Sequence, residues 1–411
     1  MKRFWCVILF LTIKAISLAQ NEIGNFVLPA EFEKINSIWM TWNTSAFHSE
    51  GEPQRIILQM AKEITPFARM NILVLNDSVK TRAIHSMLKF GIDTSMVSFC
   101  FYPQQNRFIR DFGPVFLIDN KRTLKGVDFG YNCYGECEPF STKAARGNLD
   151  STIEKLLGLD IIKTTVNSEG GNREVNGKGT MLSVETVELH RNPGMTKEQL
   201  EAEYKRTLGI KKVIWLKNGA INDDKPQNGI LPCGIYAGGT GGHIDEICRF
   251  VNSNTILLAQ QSKKENLCDS IVQINFSRLE ENYRILKSVT DQDGKPFNII
   301  RIVTAPFEFD TITIDDSDIS FFVGSHKGQV VKALIASSYL NFVIVNELVL
   351  IPKYYKKGGL LSIKQKDEEA LKTFKKVFQG KKIVQIDVHE FNYGGGGMHC
   401  ATVHQPSVQK N

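Results

Sequence analysis

The chain has 411 residues, of which 42% are hydrophobic and 23% charged, with a formal charge of +6. That composition is globular and the length ample for a sizeable core. Removing residues 1–19, which carry Lys2, Arg3 and Lys14 and no acid, would leave +3, too little and too scattered a charge to indicate nucleic acid.

The first residues, MKRFWCVILFLTIKAISLAQ, join a basic start to an apolar stretch and end on small residues before Gln20. This pattern predicts a secretory signal peptide over 1–19, with Lys14 interrupting the apolar stretch, and hence a periplasmic or secreted protein. No later segment has the ~18 uninterrupted apolar residues of a spanning helix. Residues 20–411 contain no Pro-rich, Ser-rich or charged linker and are expected to form a single domain.

Apolar spacing predicts a helix over 53–68, and MNILVLN at 70–76 reads as a strand. MTKEQLEAEYKRTLG at 195–209 predicts a second helix, with Thr196 as its cap and Gly209 as its stop. Strand-like runs follow at 211–216, 255–261, 297–303, 341–352 and 381–388. A helix over 367–380 aligns Leu371, Phe374, Val377 and Phe378 and closes on Gly380. The alternation predicts an α/β fold along the whole length.

The polar, glycine-rich segments fall between these elements: RFIRDFGP (107–114), NSEGGNREVNGKG (167–179), GGTGGHIDE (238–246) and NYGGGGMHC (392–400). Loops at strand ends are where α/β proteins build sites. Cys400 reads either as a small buried apolar group or, beside a glycine run that lets backbone approach a ligand, as a nucleophile. Cysteines total eight; without Cys6 seven remain, so an exported chain keeps at least one unpaired thiol. Cys133 and Cys137 are near enough in sequence to bridge or to stay apart.

In an extended segment His243 and Asp245 would point to one side, as a metal pair, an acid/base with an anionic contact, or a hydrogen-bonded loop pair. Asp111 reads as half of a local pair with Arg110 or as a buried carboxylate that meets a cation, and Glu169 shares that ambiguity. A thiol, an imidazole and several carboxylates together suit a planar cation with an electrophilic carbon, and a guanidinium fits.

The motifs LPAEFEKINSIWMTWN, RFIRDFGPVFLID, VDFGYNCYGE, EGGNREVNGKGTML, GTGGHIDEICRFV, SSYLNFVI and GGGGMHCATVHQP occur in order over almost all of the mature chain. By them the chain resembles the agmatine deiminase and Porphyromonas-type peptidylarginine deiminase family of the guanidino-group-modifying superfamily. The resemblance implies a five-bladed α/β-propeller of ββαβ units around a central site. It implies Cys400 as nucleophile, His243 as general acid/base, and Asp111 and Asp245 as the carboxylates that hold the guanidinium. Glu169, Trp42 and Asn341 are expected to line the pocket. The implied reaction is hydrolysis of a guanidino to a ureido group with loss of ammonia, requiring no metal or organic cofactor.

Where the peptidylarginine enzymes carry arginine-rich sequence to meet a carboxylate, this chain has Tyr131-Asn132-Cys133-Tyr134-Gly135-Glu136. That favours an amine-ended substrate, agmatine, converted to N-carbamoylputrescine, with Glu136 meeting the amine. Arginine, free or in a peptide, forming citrulline, is the alternative. Relatives usually read Thr-Asp-Gly-His at the histidine loop; here it is Thr240-Gly241-Gly242-His243, preceded by an extra stretch at 220–239. An amidinotransferase or an inactive guanidino-binding protein are the rival classes.

Overall fold

The computed structural model describes residues 24–42, 53–103, 106–136, 149–262 and 268–408. The expected signal peptide lies outside the described residues, as does Cys137. In chain order the first elements are β1 (Ile35–Thr41), α1 (Pro53–Ile64), β2 (Arg69–Val74), α2 (Asp77–Lys89) and β3 (Val97–Phe101). Next come β4 (Val115–Ile118), β5 (Leu124–Gly130), α3 (Leu149–Leu156) and β6 (Ile161–Asn167). β7 (Glu174–Val175), β8 (Thr180–Val184), α4 (Glu185–Arg191), α5 (Lys197–Leu208) and β9 (Lys212–Leu216) follow. β10 (Ile235–Gly238) precedes β11 (Cys248–Asn252), β12 (Thr255–Gln260), α6 (Asp269–Ser288) and β13 (Asn298–Val303). β14 (Phe309–Thr313) and β15 (Val330–Ile335) lead to β16 (Val343–Val345), β17 (Leu348–Lys353), α7 (Leu361–Val377) and β18 (Lys382–Asp387). A short α8 (His389–Asn392) and β19 (Val403–Pro406) close the chain.

One pattern recurs. In the sheets β4-β5-β6, β7-β8-β9, β11-β12-β13 and β16-β17-β18 the first strand pairs antiparallel with the second. The second then pairs parallel with the third across a helix. The fifth instance joins the two ends of the chain: β19 lies antiparallel to β1, β1 parallel to β2, and β3 extends that sheet. A sixth sheet, β10-β15-β14, is built from β10, in the 220–239 stretch, and from residues that follow β13.

The helix over 195–209 forms as its caps predict, with Thr196 and Gln199 in a reciprocal capping box and Gly209 left-handed at φ 68°. The 341–352 run divides into β16 and β17 around Asn346, whose φ of 53° turns the hairpin. The helix expected over 367–380, α7, starts earlier than its apolar stripe suggests, at Leu361. The main core is formed by the buried faces of β1, β2, β12, β16 and β17 with Ile57, Met60, Leu279 and Phe374 from the helices.

The cysteines among the described residues fall into two groups. Cys233 and Cys268 form a disulfide that ties the 220–239 stretch to the start of α6. Cys133 is also disulfide-bonded. Cys100, Cys248 and Cys400 are free thiols.

Candidate active site

Each of the five recurring sheets is preceded by a turn, and each turn delivers one polar residue of a common cluster. Asp111 precedes β4, Glu169 precedes β7, Asp245 precedes β11, Asn341 precedes β16 and Cys400 precedes β19, and all five are buried. The glycine run makes this approach possible on the Cys400 side. Gly395 is left-handed at φ 85°, and any side chain on Gly397 would collide with Asn341 Oδ1.

Asn341 sits at the centre. Its Nδ2 donates to Cys400 Sγ (3.1 Å), Glu246 Oε1 (2.8 Å) and Asp245 Oδ2 (3.3 Å). Its Oδ1 accepts the backbone N–H of His399 (2.8 Å). Cys400 Sγ lies 3.7 Å from Asp245 Oδ2 and 4.0 Å from Glu246 Oε1. Asp245 is held by His399 Nδ1 at 2.6 Å, and His399 Nε2 reaches Glu31 at 2.8 Å.

Across the cluster, Asp111 accepts the Gly171 N–H (3.1 Å) and the Tyr134 hydroxyl (3.0 Å). It faces His243 Nδ1 at 3.9 Å. Glu169 lies 3.3 Å from His243 Nε2 and binds Arg191 Nε with both oxygens, at 2.8 and 3.0 Å. The histidine loop itself hangs on Asp223, whose carboxylate accepts the N–H groups of Thr240 (2.8 Å), Gly242 (3.1 Å) and His243 (2.7 Å). That is the 220–239 stretch supplying an acidic contact to a loop that lacks an aspartate of its own.

Three buried atoms in this cluster have no hydrogen-bond partner among the described residues: His243 Nδ1, Asp245 Oδ1 and Glu246 Oε2. Buried polar groups without protein partners are uncommon, and three of them converging beside one thiol leave acceptor and donor positions that a water, an ion or a polar ligand would fill. Electrostatics agree. Burial opposes a charge on His243, but Asp111, Glu169 and Asp223 outweigh it and raise its pKa to about 9. Burial likewise opposes ionisation of Glu169, yet Arg191 and His243 bring it down to about 2. Burial, then Asp245, Glu246 and Asp111, push the Cys400 thiol well up. A cation placed among these carboxylates would reverse that pressure and favour the thiolate. The ligand atoms of Asp245, Glu246 and Cys400 lie within 4.8 Å of one another, so a small metal ion would also find three donors there.

The structure thus brings Cys400, His243, Asp111, Asp245, Glu169 and Asn341 together. Other expectations need correction. Glu169 is engaged by Arg191 on both oxygens and by His243 on one, so it supports the imidazole. Glu136 is engaged by Lys225. Trp42 lies in the main core with its backbone N–H on Leu73 O (2.9 Å), because an indole at the end of a buried strand packs with its apolar neighbours. Arg110 turns away from Asp111 to Glu31 (2.7 Å) and the His399 carbonyl (2.7 Å). His243 and Asp245 do not share a strand: a 3₁₀ turn over Ile244–Glu246 sends one to Glu169 and the other to His399. The residues that sequence reasoning missed are Glu246, His399, Glu31, Tyr134 and Asp223. Only Glu246 and His399 had a local signal, adjacency to Asp245 and Cys400.

The family model described as Porphyromonas-type peptidyl-arginine deiminase matches residues 27–406, and the chain belongs to that family. An agmatine deiminase of Medicago truncatula is 27% identical over 93% of this chain and 97% of its own length. One of Pseudomonas syringae pv. syringae is 27% identical over 94% and 97%. The solved structure of an Enterococcus faecalis agmatine deiminase superposes with a TM-score of 0.73 at 24% identity, covering 95% of this chain and 98% of that one. At that identity the superposition speaks for the fold.

Proposed function

We propose that this protein is a cysteine-dependent hydrolytic deiminase that converts agmatine to N-carbamoylputrescine and ammonia. The observation that carries the reading is the set of unpartnered buried atoms, His243 Nδ1, Asp245 Oδ1 and Glu246 Oε2, in the cluster that holds Cys400. A guanidinium supplies N–H donors to the carboxylates and presents its carbon to sulfur. The two relatives above carry the name agmatine deiminase, which supports the choice of substrate.

Asp111 and Asp245 orient the guanidinium and offset its charge, and the bound cation lowers the cost of the Cys400 thiolate. Sulfur attacks the guanidinium carbon. His243, protonated at neutral pH, gives its proton to the departing ammonia, leaving a thiouronium on Cys400. Water, deprotonated by the now neutral His243, adds to the same carbon, and the thiolate leaves as the ureido product forms. Glu169 and Asp223 hold the imidazole and its loop in place.

The five recurring sheets, each giving one residue to the cluster, support a reading as five blades of an α/β-propeller closed by β19 on β1, in one catalytic domain over residues 20–411. The disulfides at Cys133 and between Cys233 and Cys268 support export to an oxidising compartment, as a cleaved leader over 1–19 would direct. Among the described residues no helix is long and apolar enough to cross a membrane.

The test is Cys400→Ala on the purified chain with agmatine, reading ammonia and ureido product. Product should vanish while circular dichroism is unchanged. Full activity in that variant would end the covalent mechanism.

A further inference from the structure

Asp245 must present an oxygen to the guanidinium in a fixed direction, yet the last torsion of an aspartate is soft and roughly two-fold. Its two oxygens are placed differently. Oδ2 meets His399 Nδ1 at 2.6 Å and Asn341 Nδ2 at 3.3 Å, while Oδ1 is buried without a hydrogen-bond partner among the described residues. Asn341 is a weak restraint, because its Nδ2 carries two hydrogens and also serves Cys400 Sγ and Glu246 Oε1. The orientation of the carboxylate therefore rests on His399. Burial opposes ionisation of Asp245, but the hydrogen bond from His399 and the charges around it hold the carboxyl below its usual range. The oxygen accepts and the imidazole donates.

The imidazole is itself held on every side. The His399 backbone N–H donates to Asn341 Oδ1 at 2.8 Å, and its carbonyl accepts Arg110 Nε at 2.7 Å and Thr402 Oγ1 at 3.0 Å. Behind the ring, Nε2 lies 2.8 Å from Glu31 Oε2. Glu31 is clamped by Arg110 at 2.7 Å and by the fully buried Arg249 at 2.6 Å, and Arg249 is anchored in turn by Glu174 at 2.7 Å. The other titratable group facing the ring is His404, with centroids 6.3 Å apart and Nδ1 at 3.2 Å from Glu31. With a carboxylate at each ring nitrogen, the imidazole has one orientation that satisfies both.

We propose that His399 is a positioning residue for deimination: held from behind by Glu31, it fixes Asp245 through Oδ2, so that Oδ1 stays turned to the guanidinium. The proposal rests on the deiminase reading above. Cys400 Sγ lies 3.7 Å from the same Oδ2, so the carboxylate also sets where the guanidinium carbon stands relative to sulfur. A carboxylate free to turn still attracts the cation but no longer holds its carbon in line, and a displacement of about 1 Å costs on the order of 100-fold in rate. Glu31 acts one step further back, by keeping Nδ1 aimed at Asp245.

The experiment measures kcat and KM for agmatine in the full chain, by ammonia release, in wild type, His399→Asn, His399→Gln and His399→Leu, with melting temperatures alongside. The asparagine amide nitrogen falls near the place of Nδ1 and keeps the bond to Asp245, whereas that of glutamine falls near Nε2 and keeps only the reach to Glu31. Activity in His399→Asn should stay close to wild type, while kcat falls by about tenfold or more in His399→Gln and His399→Leu. A link that serves only to tie Glu31 to the cysteine loop ranks asparagine and glutamine the other way. That ranking, or activities that simply follow the melting temperatures, would overturn the proposal while leaving agmatine deimination standing. A second measurement needs no substitution at His399: in Cys400→Ala the downfield imidazole N–H signal of the Asp245-bound ring should shift when agmatine is added. A signal that does not move would overturn the proposal too, and a wild type inactive on agmatine would overturn it together with the deiminase reading.

Discussion

His243 keeps its proton because Asp111, Glu169 and Asp223 together outweigh its burial, and in the proposed mechanism that equips it as the acid for ammonia release up to a pKa of about 9. The deprotonated form cannot serve the first half of the reaction, so kcat should fall as pH rises through about 9. Glu169→Gln should move that alkaline limb to lower pH, since it removes one of the charges that raise the imidazole. It should also destabilise the fold by about 3–5 kcal/mol, because Arg191 is left buried without its carboxylate. The wild-type carboxylate has a folded pKa near 2 against an ordinary 4.5, so its contribution is present above pH 4.5 and lost as pH falls toward 2. A pH–rate profile and a urea melt read both effects; an alkaline limb that stays in place would remove Glu169 from any role in tuning His243. At this scale Cys400 and the three loops that gather beside it were legible as motifs. The supports were not, because Asp223, Tyr134 and Glu31 act through contacts with residues distant in the chain.

Among the elements, α3 carries a liability. Glu154 is fully buried against Gly126 of β5, and neither carboxylate oxygen has a partner among the described residues. Burial and then Asp128 raise its pKa to about 8, and its neighbour Asp150 reaches about 9 by burial and Asp128. A carboxyl whose folded pKa is raised stabilises the fold below its unfolded value, near 4.3, and that contribution is lost as pH rises toward 8. Glu154→Met should therefore raise the melting temperature more at pH 8 than at pH 5, by roughly 1–3 kcal/mol of stability at the higher pH. Equal effects at both pH values would show that charge burial is not the cause. Local signals served the elements unevenly. Thr196 and Gly209 bounded α5 because caps are local chemistry, whereas the hairpin inside 341–352 turns on Asn346, whose neighbours gave no glycine or proline to mark it.

For the whole molecule, closure of the chain ends matters to the site, since β19 begins three residues after Cys400. Gln405 Oε1 on β19 accepts Ser37 Oγ (3.0 Å) and Trp39 Nε1 (2.9 Å) on β1. Gln405→Ala leaves two buried donors unmet and should cost about 1–3 kcal/mol for each. The urea midpoint of tryptophan fluorescence should drop accordingly, and an unshifted midpoint would mean the β1–β19 seam does not limit stability. By itself the sequence determined the α/β alternation, the capped helix and the motif loops with Cys400, His243, Asp111 and Asp245, because periodicity, caps and glycine runs are written in adjacent residues. Only the tertiary structure decided that Glu169 serves His243, that Trp42 belongs to the core, and that Lys225 of the 220–239 stretch faces Glu136. Those outcomes depend on which turns meet in front of five separate sheets, and charge pairing between residues so far apart is settled by burial rather than by spacing.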